Sequence, residues 1–236
     1  MALILNIDTA LDTAAIILAQ DGKPLTVLTN EKQQEHAIWI HTAIEEVLKK
    51  NNLCLDKVDA IAVSNGPGSY TGLRVGLATA KGLCYALNKP LIAVPTLEII
   101  ASGIIEEVKK TQDLGGKTSN DLEKTLIVPM IDARRMEVYT AVYDIKLSLK
   151  EEPKALVLEP NSYEEILGKN TVFFGGNGAN KWQDQVNNSN AHFPKYEYNS
   201  LIMCNLSVSL YTKSSFANLA YTEPLYIKDF FTPARK

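Results

Sequence analysis

Cysteine is scarce. The 236-residue chain has three, Cys54, Cys84 and Cys204, widely spaced and odd in number, with no CxxC pair. That argues against a disulfide-built scaffold and against a zinc site, and it fits a reducing compartment. Histidine is equally sparse. His36 and His41 are five residues apart, so they do not share a helix face as i, i+4 metal ligands do, and His192 stands alone. Long apolar runs are missing: none approaches the roughly 20 residues of a membrane span. The first eight residues lack a basic region and are broken by Asp8, so no secretory signal is expected and the cytoplasm is the expected location. There is no surplus of positive charge either. Lys and Arg number 24 against 27 Asp and Glu, a net charge of −3, which argues against a surface that itself holds nucleic acid. A protein that meets RNA through a partner remains compatible. Gly and Pro, 13 and 10, are too few for a low-complexity chain.

What is present is an ordinary globular composition, 46% hydrophobic and 22% charged. Short apolar runs at 3–8, 13–19 and 24–29, with an Asp21-Gly22 turn signal between the last two, predict three strands with an antiparallel start. A helix over 34–50, a strand over 58–64, a helix over 71–87, a strand over 91–94 and a helix over 97–110 follow. The order βββαβαβα implies a mixed sheet with parallel additions and helical crossovers. The polar stretch 111–123 reads as a loop at or near a domain boundary. Beyond it a weaker βββαβα recurs: strands over 126–131, 136–143 and 155–158, a helix over 162–167, a strand over 171–174 and a helix from Asn177. Residues 186–199 read as loop and 201–211 as the last helix.

The most informative stretch is Asn65-Gly66-Pro67-Gly68-Ser69-Tyr70-Thr71-Gly72-Leu73-Arg74-Val75-Gly76, which follows a strand and opens a helix. Neither a P-loop nor a GxGxxG fingerprint fits it. Two readings stand side by side. In one, an anion sits at the helix start near Ser69, Thr71 and Arg74; in the other, Gly66 and Gly68 only permit a tight turn and close packing. Further along the helix, Gly72, Gly76 and Ala80 recur at i, i+4 and i+8 and form one nearly flat face, expected to let a partner helix approach. In the 34–50 helix, Ala37, Ile40, Ile44, Val47 and Leu48 form the apolar stripe, which leaves Ile38 and Trp39 off it as a second hint of a partner site. Asp8-Thr9 ends the first strand, and Asp132-Ala133-Arg134-Arg135 ends the first strand of the second half. These matched acidic turns either hold a metal–phosphate unit or, at Asp132, form a surface ion pair with Arg134 or Arg135. No Ser/His/Asp or Cys/His signature is present.

Taken together, these residues resemble the TsaB (YeaZ) family of tRNA threonylcarbamoyladenosine biosynthesis proteins. The resemblance rests on Ile4-Leu5-Asn6-Ile7-Asp8-Thr9, on Glu35-His36, on the 65–76 stretch, on Val94-Pro95-Thr96-Leu97, on Ile131-Asp132-Ala133-Arg134-Arg135-Met136-Glu137-Val138-Tyr139 and on Pro224-Leu225-Tyr226. It is strong over 1–145 and thin from there to about 220. It implies an α/β fold of the actin-like ATPase superfold, with two RNase H-like lobes. The lobes are expected at 1–110 and 111–236, with the final helix and tail packing back on the first. It also implies a non-catalytic subunit without catalytic residues or a metal of its own. Such a subunit binds a TsaD-like catalytic protein through the first two helices of the first lobe, is joined by a TsaE-like ATPase, and meets tRNA only through that complex. Alone, it is expected to form a homodimer. No cofactor is expected for the chain itself, ATP and Mg²⁺ being bound mainly by the partners. Asp8, Thr9, Asp132 and Arg134 would then be vestiges of a nucleotide site. Two departures support that: Ala10 and Leu11 follow Asp8-Thr9 where the superfold places Gly and Ser/Thr, and Ala133 stands where it favours Gly. The alternative is an active ATP-dependent phosphotransferase with Asp8 or Asp132 on Mg²⁺. An RNase H-like nuclease would need more converging carboxylates than these two.

Overall fold

The computed structural model describes residues 1–32, 35–111 and 124–228. The expected polar loop at 111–123 and the first residue of the 34–50 helix fall almost wholly outside them. The chain divides into two compact units, 1–99 with 198–224 and 100–197 with 225–236. The sequence reading puts one cut at 110 and returns the final helix and tail to the first lobe; here the division falls inside a helix, and 198–224 belongs to the first unit.

In the first unit, β1 (Leu3–Asp8), β2 (Ala14–Gln20) and β3 (Lys23–Asn30) form an antiparallel meander. Its tight turn uses Asp21 and Gly22, both at positive φ, as a hairpin of this twist requires. Helix α1 (His36–Lys50), β4 (Ala60–Ser64), α2 (Tyr70–Leu87) and β5 (Leu91–Val94) follow, and α3 (Thr96–Thr111) begins here. β4 runs parallel to β1 and β5 parallel to β4, so the sheet order is β3-β2-β1-β4-β5. β1 lies centrally and is buried throughout. Its alternate residues Leu3, Leu5 and Ile7 join Ile40, Ile44, Val47 and Leu77 in one core. On the other face, Ala15, Ile17 and Ala19 pack against Cys204 of the returning helix α6 (Ile202–Thr212). The bridge between Leu91 and Ala217 covers the outer side of β5.

The second unit repeats this plan. Here β6 (Thr125–Asp132), β7 (Glu137–Asp144) and β8 (Leu149–Val157) form the meander. They are followed by α4 (Glu164–Leu167), β9 (Thr171–Gly175), α5 (Asn180–Gln183) and β10 (Ala191–His192). The order β10-β9-β6-β7-β8, with β9 parallel to β6 and β10 parallel to β9, is the first sheet's order again. Both units are therefore RNase H-like α/β units. The core here is aromatic: Tyr163, Phe174 and Trp182 meet edge to face at 4.8–5.1 Å.

Three local expectations are corrected. β8 covers 149–157 rather than 155–158, because an edge strand with one wet face needs no apolar run. The two helices of the second half are single turns and begin later than expected. The 186–199 loop contains the two-residue β10, held by Val172 and Phe173.

Candidate functional site

In the first unit, Asp8 and Thr9 sit where β1 ends beside β4, the point at which the sheet changes from antiparallel to parallel pairing. In open α/β sheets, ligands gather at such switch points. Asp8 is fully buried. One carboxylate oxygen accepts the backbone N–H of Ala10 at 3.3 Å, and the other accepts the Tyr198 hydroxyl at 2.6 Å. Thr9 donates its N–H to Ser64 Oγ at 3.2 Å and its hydroxyl to the Gly72 carbonyl at 2.8 Å.

That last bond explains the glycine-rich stretch. A Cβ on Gly68 would overlap the Ala10 carbonyl, one on Gly72 the Thr9 carbonyl, and one on Gly76 the Thr9 side chain. The glycines thus let α2 lie directly on the end of β1. Ser69 caps α2, its Oγ accepting Gly72 N–H at 3.3 Å, while its own N–H donates to Ala10 O at 2.7 Å. Gly66 pairs with Thr96 through both backbone and side chain. The helix-start amides of Ser69 and Gly72 are therefore taken by the chain itself, which favours the packing reading over an anion site. Thr71 and Arg74 are exposed, and the Arg74 guanidinium lies 4.0 Å from the Tyr70 ring centroid.

The same contacts correct the expected partner face. Gly72, Gly76 and Ala80 are buried against this chain's own strands and present nothing outward. The reason is the phase of α2: Leu73, Leu77 and Cys84 take the inward positions, and Val75, Leu83 and Leu87 lie on the flank at the edge of the core. The outward face carries a second strip of small residues at the same spacing, Ala78, Gly82 and Ala86, all exposed. A Cβ built on Gly82 meets nothing within 4 Å. Tyr85 on that face is 82% exposed. On α1, Ile38 is 80% exposed, as its place off the stripe implied, whereas Trp39 is half-buried against the core. Ala37 is exposed and His36 and Ala43 take core positions instead. Below α1 an open groove of about 480 Å³ is lined by Ile44, Leu48, Leu53, Cys54 and Leu83. The outward strip was detectable in the sequence, since Ala78-Gly82-Ala86 has the spacing of Gly72-Gly76-Ala80; only the choice of phase separates them.

In the second unit, Asp132 ends β6 at a hairpin whose Arg134 and Arg135 both have positive φ. Asp132 Oδ1 accepts the Arg134 N–H at 2.6 Å and the Lys181 ammonium at 2.5 Å, and Asn177 Oδ1 accepts the Asp132 N–H. Partial burial raises the Asp132 carboxyl, but the Lys181 and Arg134 contacts outweigh it and hold the group below its ordinary range. The ion pair is with Lys181, 49 residues away, and Arg134 contributes its backbone N–H. Glu98, at the start of α3, is pushed up by burial, partly offset by Lys213. Among the described residues, no group of three or more His, Cys, Asp or Glu is placed to hold a metal, and no helix is long and apolar enough to cross a membrane.

Residues 26–152, more than half of the chain, match the family described as TsaD, tRNA N6-adenosine threonylcarbamoyltransferase. The tRNA threonylcarbamoyladenosine biosynthesis protein TsaB of Bacillus subtilis is 32% identical over 149 residues, covering 63% of this chain and 58% of that protein. The TsaB protein of Buchnera aphidicola subsp. Baizongia pistaciae is 28% identical over 237 residues, 96% of this chain and 98% of that protein. The chain belongs to the TsaB (YeaZ) family. A solved structure described as an uncharacterized protein with similarity to peptidase YEAZ from Pseudomonas aeruginosa superposes with a TM-score of 0.73 at 22% identity, over 97% of this chain and 100% of that one. That likeness is one of fold: an α/β chain of two units, each built on a five-stranded mixed sheet. The family match over residues 26–152 contains the glycine-seated α2 and the Asp132 hairpin.

Proposed function

We propose that this chain is a non-catalytic accessory subunit in threonylcarbamoyl transfer to adenosine 37 of tRNAs that read codons beginning with A. In this reading it binds a TsaD-like catalytic subunit through the outward faces of α1 and α2, and a TsaE-like ATPase joins the pair. The observation that carries the reading is the exposed face of α2. Ala78, Gly82 and Ala86 form a low floor on which a second helix can lie closely, with Tyr85 exposed on the same helix and Ile38 exposed on α1. Apolar and aromatic side chains at the centre of a patch are what protein interfaces use. A partner that carries the same lobe would offer a matching pair of helices, and without it a second copy of this chain would fill the face with two-fold symmetry. Thr71 and Arg74 lie at the N-terminal end of the same helix.

The net charge of −3 supports contact with tRNA through the complex rather than by this chain alone. ATP and Mg²⁺ then belong mainly to the partners, and the cytoplasm is where such an assembly would work. Against a phosphotransferase stands the engagement of Asp8 and Asp132 within the chain.

The test is affinity for a purified TsaD-like subunit measured beside thermal stability. Gly82→Leu fills the open floor and should lower affinity about tenfold to hundredfold, if the misfit costs about 1–3 kcal/mol as overpacking of a close contact does, while the melting temperature stays within a degree or two. Ile38→Glu should act likewise. Unchanged affinity in both variants would remove α1 and α2 from the interface.

A further inference from the structure

A metal–phosphate unit at Asp8 or Asp132 is one of the two readings of the matched acidic turns, and the residues present do not fit it. Magnesium keeps several of its waters and needs carboxylates that water can reach. Asp8 is fully buried, and one oxygen is held at 2.6 Å by Tyr198. Asp132 holds an ammonium at 2.5 Å. That ammonium also donates to the carbonyls of Arg135 at 2.6 Å and Glu137 at 3.4 Å. All three Lys181 donors are therefore directed at one hairpin.

We propose that Tyr198 and Lys181 are internal occupants of these two positions, each filling from within the chain the place beside a strand-end carboxylate where an external ligand would bind. The proposal rests on the non-catalytic reading above and supplies its residues. In the first unit, Tyr198 opens the segment 198–224 that returns to the sheet. Its bond to Asp8 spans 190 residues and fixes the entry of α6, whose Met203 and Cys204 are buried. An O–H donor on a carboxylate at 2.6 Å is a charge-assisted bond, about twice as strong as a neutral one. It also answers a need: a buried carboxylate without a donor is costly. Asn6 lies two residues earlier on the same face of β1, also fully buried, and its Oδ1 has no hydrogen-bond partner. That face is thus short of donors, and Tyr198 supplies one where the charge is.

In the second unit the occupant is a cation. Lys181 lies on the single-turn helix α5, behind Asn177, which receives the Asp132 N–H. A Cβ on Gly178 would crowd Val138 and the Asp132 amide, so the 177–181 turn sits hard against the hairpin. The lysine is held by backbone carbonyls as well as by Asp132, which distinguishes it from a loose surface pair.

Internal occupancy makes each pair one energetic unit, and that is measurable in the full chain. The variants are Tyr198→Phe, Asp8→Asn and their double, and Lys181→Met, Asp132→Asn and their double. The reading is hydrogen exchange of amides 198–207 for the first set and 132–138 for the second. Each single change should speed exchange about tenfold or more, the range expected for bonds to charged groups, and each double should be no worse than its worse single. Effects that multiply would overturn the proposal. Should Asp8→Asn fail to fold, the near-isosteric Tyr198→Phe carries the test, and unchanged exchange in 198–207 would overturn it. A second measurement titrates the wild-type chain with Mn²⁺ and with Mg²⁺–ADP. No saturable binding is expected. Saturable binding that Asp8→Asn or Asp132→Asn removes would overturn internal occupancy. Failure of the exchange cycles alone, with partner affinity still lost in Gly82→Leu, would leave the accessory reading standing.

Discussion

Thr9 does at close quarters what no motif search would assign to it. Its hydroxyl oxygen binds the Gly72 carbonyl, and the same oxygen leaves room only for a glycine at 76. Gly76→Ala should therefore cost stability, about 1–3 kcal/mol as overpacking does, in a denaturant titration of the full chain. Thr9→Ala removes the obstructing hydroxyl, so the same glycine change should cost less in that background. Equal costs would mean that Thr9 is not what Gly76 accommodates. The thiols follow from burial in the same way. Burial pushes Cys84 up to about 11 and Cys204 up to about 12, whereas Cys54 is exposed. A disulfide reagent at pH 8 should titrate one thiol quickly in the native chain and three after unfolding. The Asp132 carboxyl, held low by Lys181, stabilises the fold above the ordinary carboxylate range and loses that contribution as pH falls through its folded value. The difference in stability between wild type and Lys181→Met should accordingly shrink in acid. At this scale the sequence was partly legible. Asp8 and Asp132 stand out at strand ends, but their partners Tyr198 and Lys181 lie 190 and 49 residues away, and no local pattern announces them.

Helix α2 shows how one element carries two similar patterns. Gly72-Gly76-Ala80 and Ala78-Gly82-Ala86 share a spacing, and apolar phase alone decides which faces the core. Val75, Leu83 and Leu87 suggest one phase, and Leu73, Leu77 and Cys84 the neighbouring one, which the sheet selects. The contrast is testable inside the element. Gly76→Leu should lower the melting temperature sharply, and Gly82→Leu should not. A reversal would mean the helix is rotated. The elements of the first unit are legible in the sequence because β1, β2, β4 and β5 are buried on both faces and appear as apolar runs. The sequence understates β8 because its exposed edge carries Lys, Glu and Pro, residues that blunt an edge and hide a strand. The single-turn helices α4 and α5 are too short for a 3.6-residue period to register.

At the scale of the molecule, one plan is used twice. Both units have the order 3-2-1-4-5 counted within the unit, and both end their first strand in a carboxylate engaged by a side chain from later in the same unit. The duplication was visible as a recurring βββαβα, without a sequence repeat to support it. The return of 198–224 to the first unit rests on long-range contacts such as those of Cys204 and Ala217; no local pattern marks those contacts, and the family resemblance alone implies the return. The accessory role proposed above rests on the engaged carboxylates and the open helix face. The isolated protein should show no Mg²⁺-dependent ATP hydrolysis above background; turnover that disappears in Asp8→Ala would restore the phosphotransferase reading. The central claim is tested most directly by depleting this protein in its own cells and quantifying threonylcarbamoyladenosine in bulk tRNA by nucleoside mass spectrometry. The account predicts a marked fall, restored by the wild-type chain and not by Gly82→Leu. Unchanged modification after depletion, in a genome with no second copy, would contradict it.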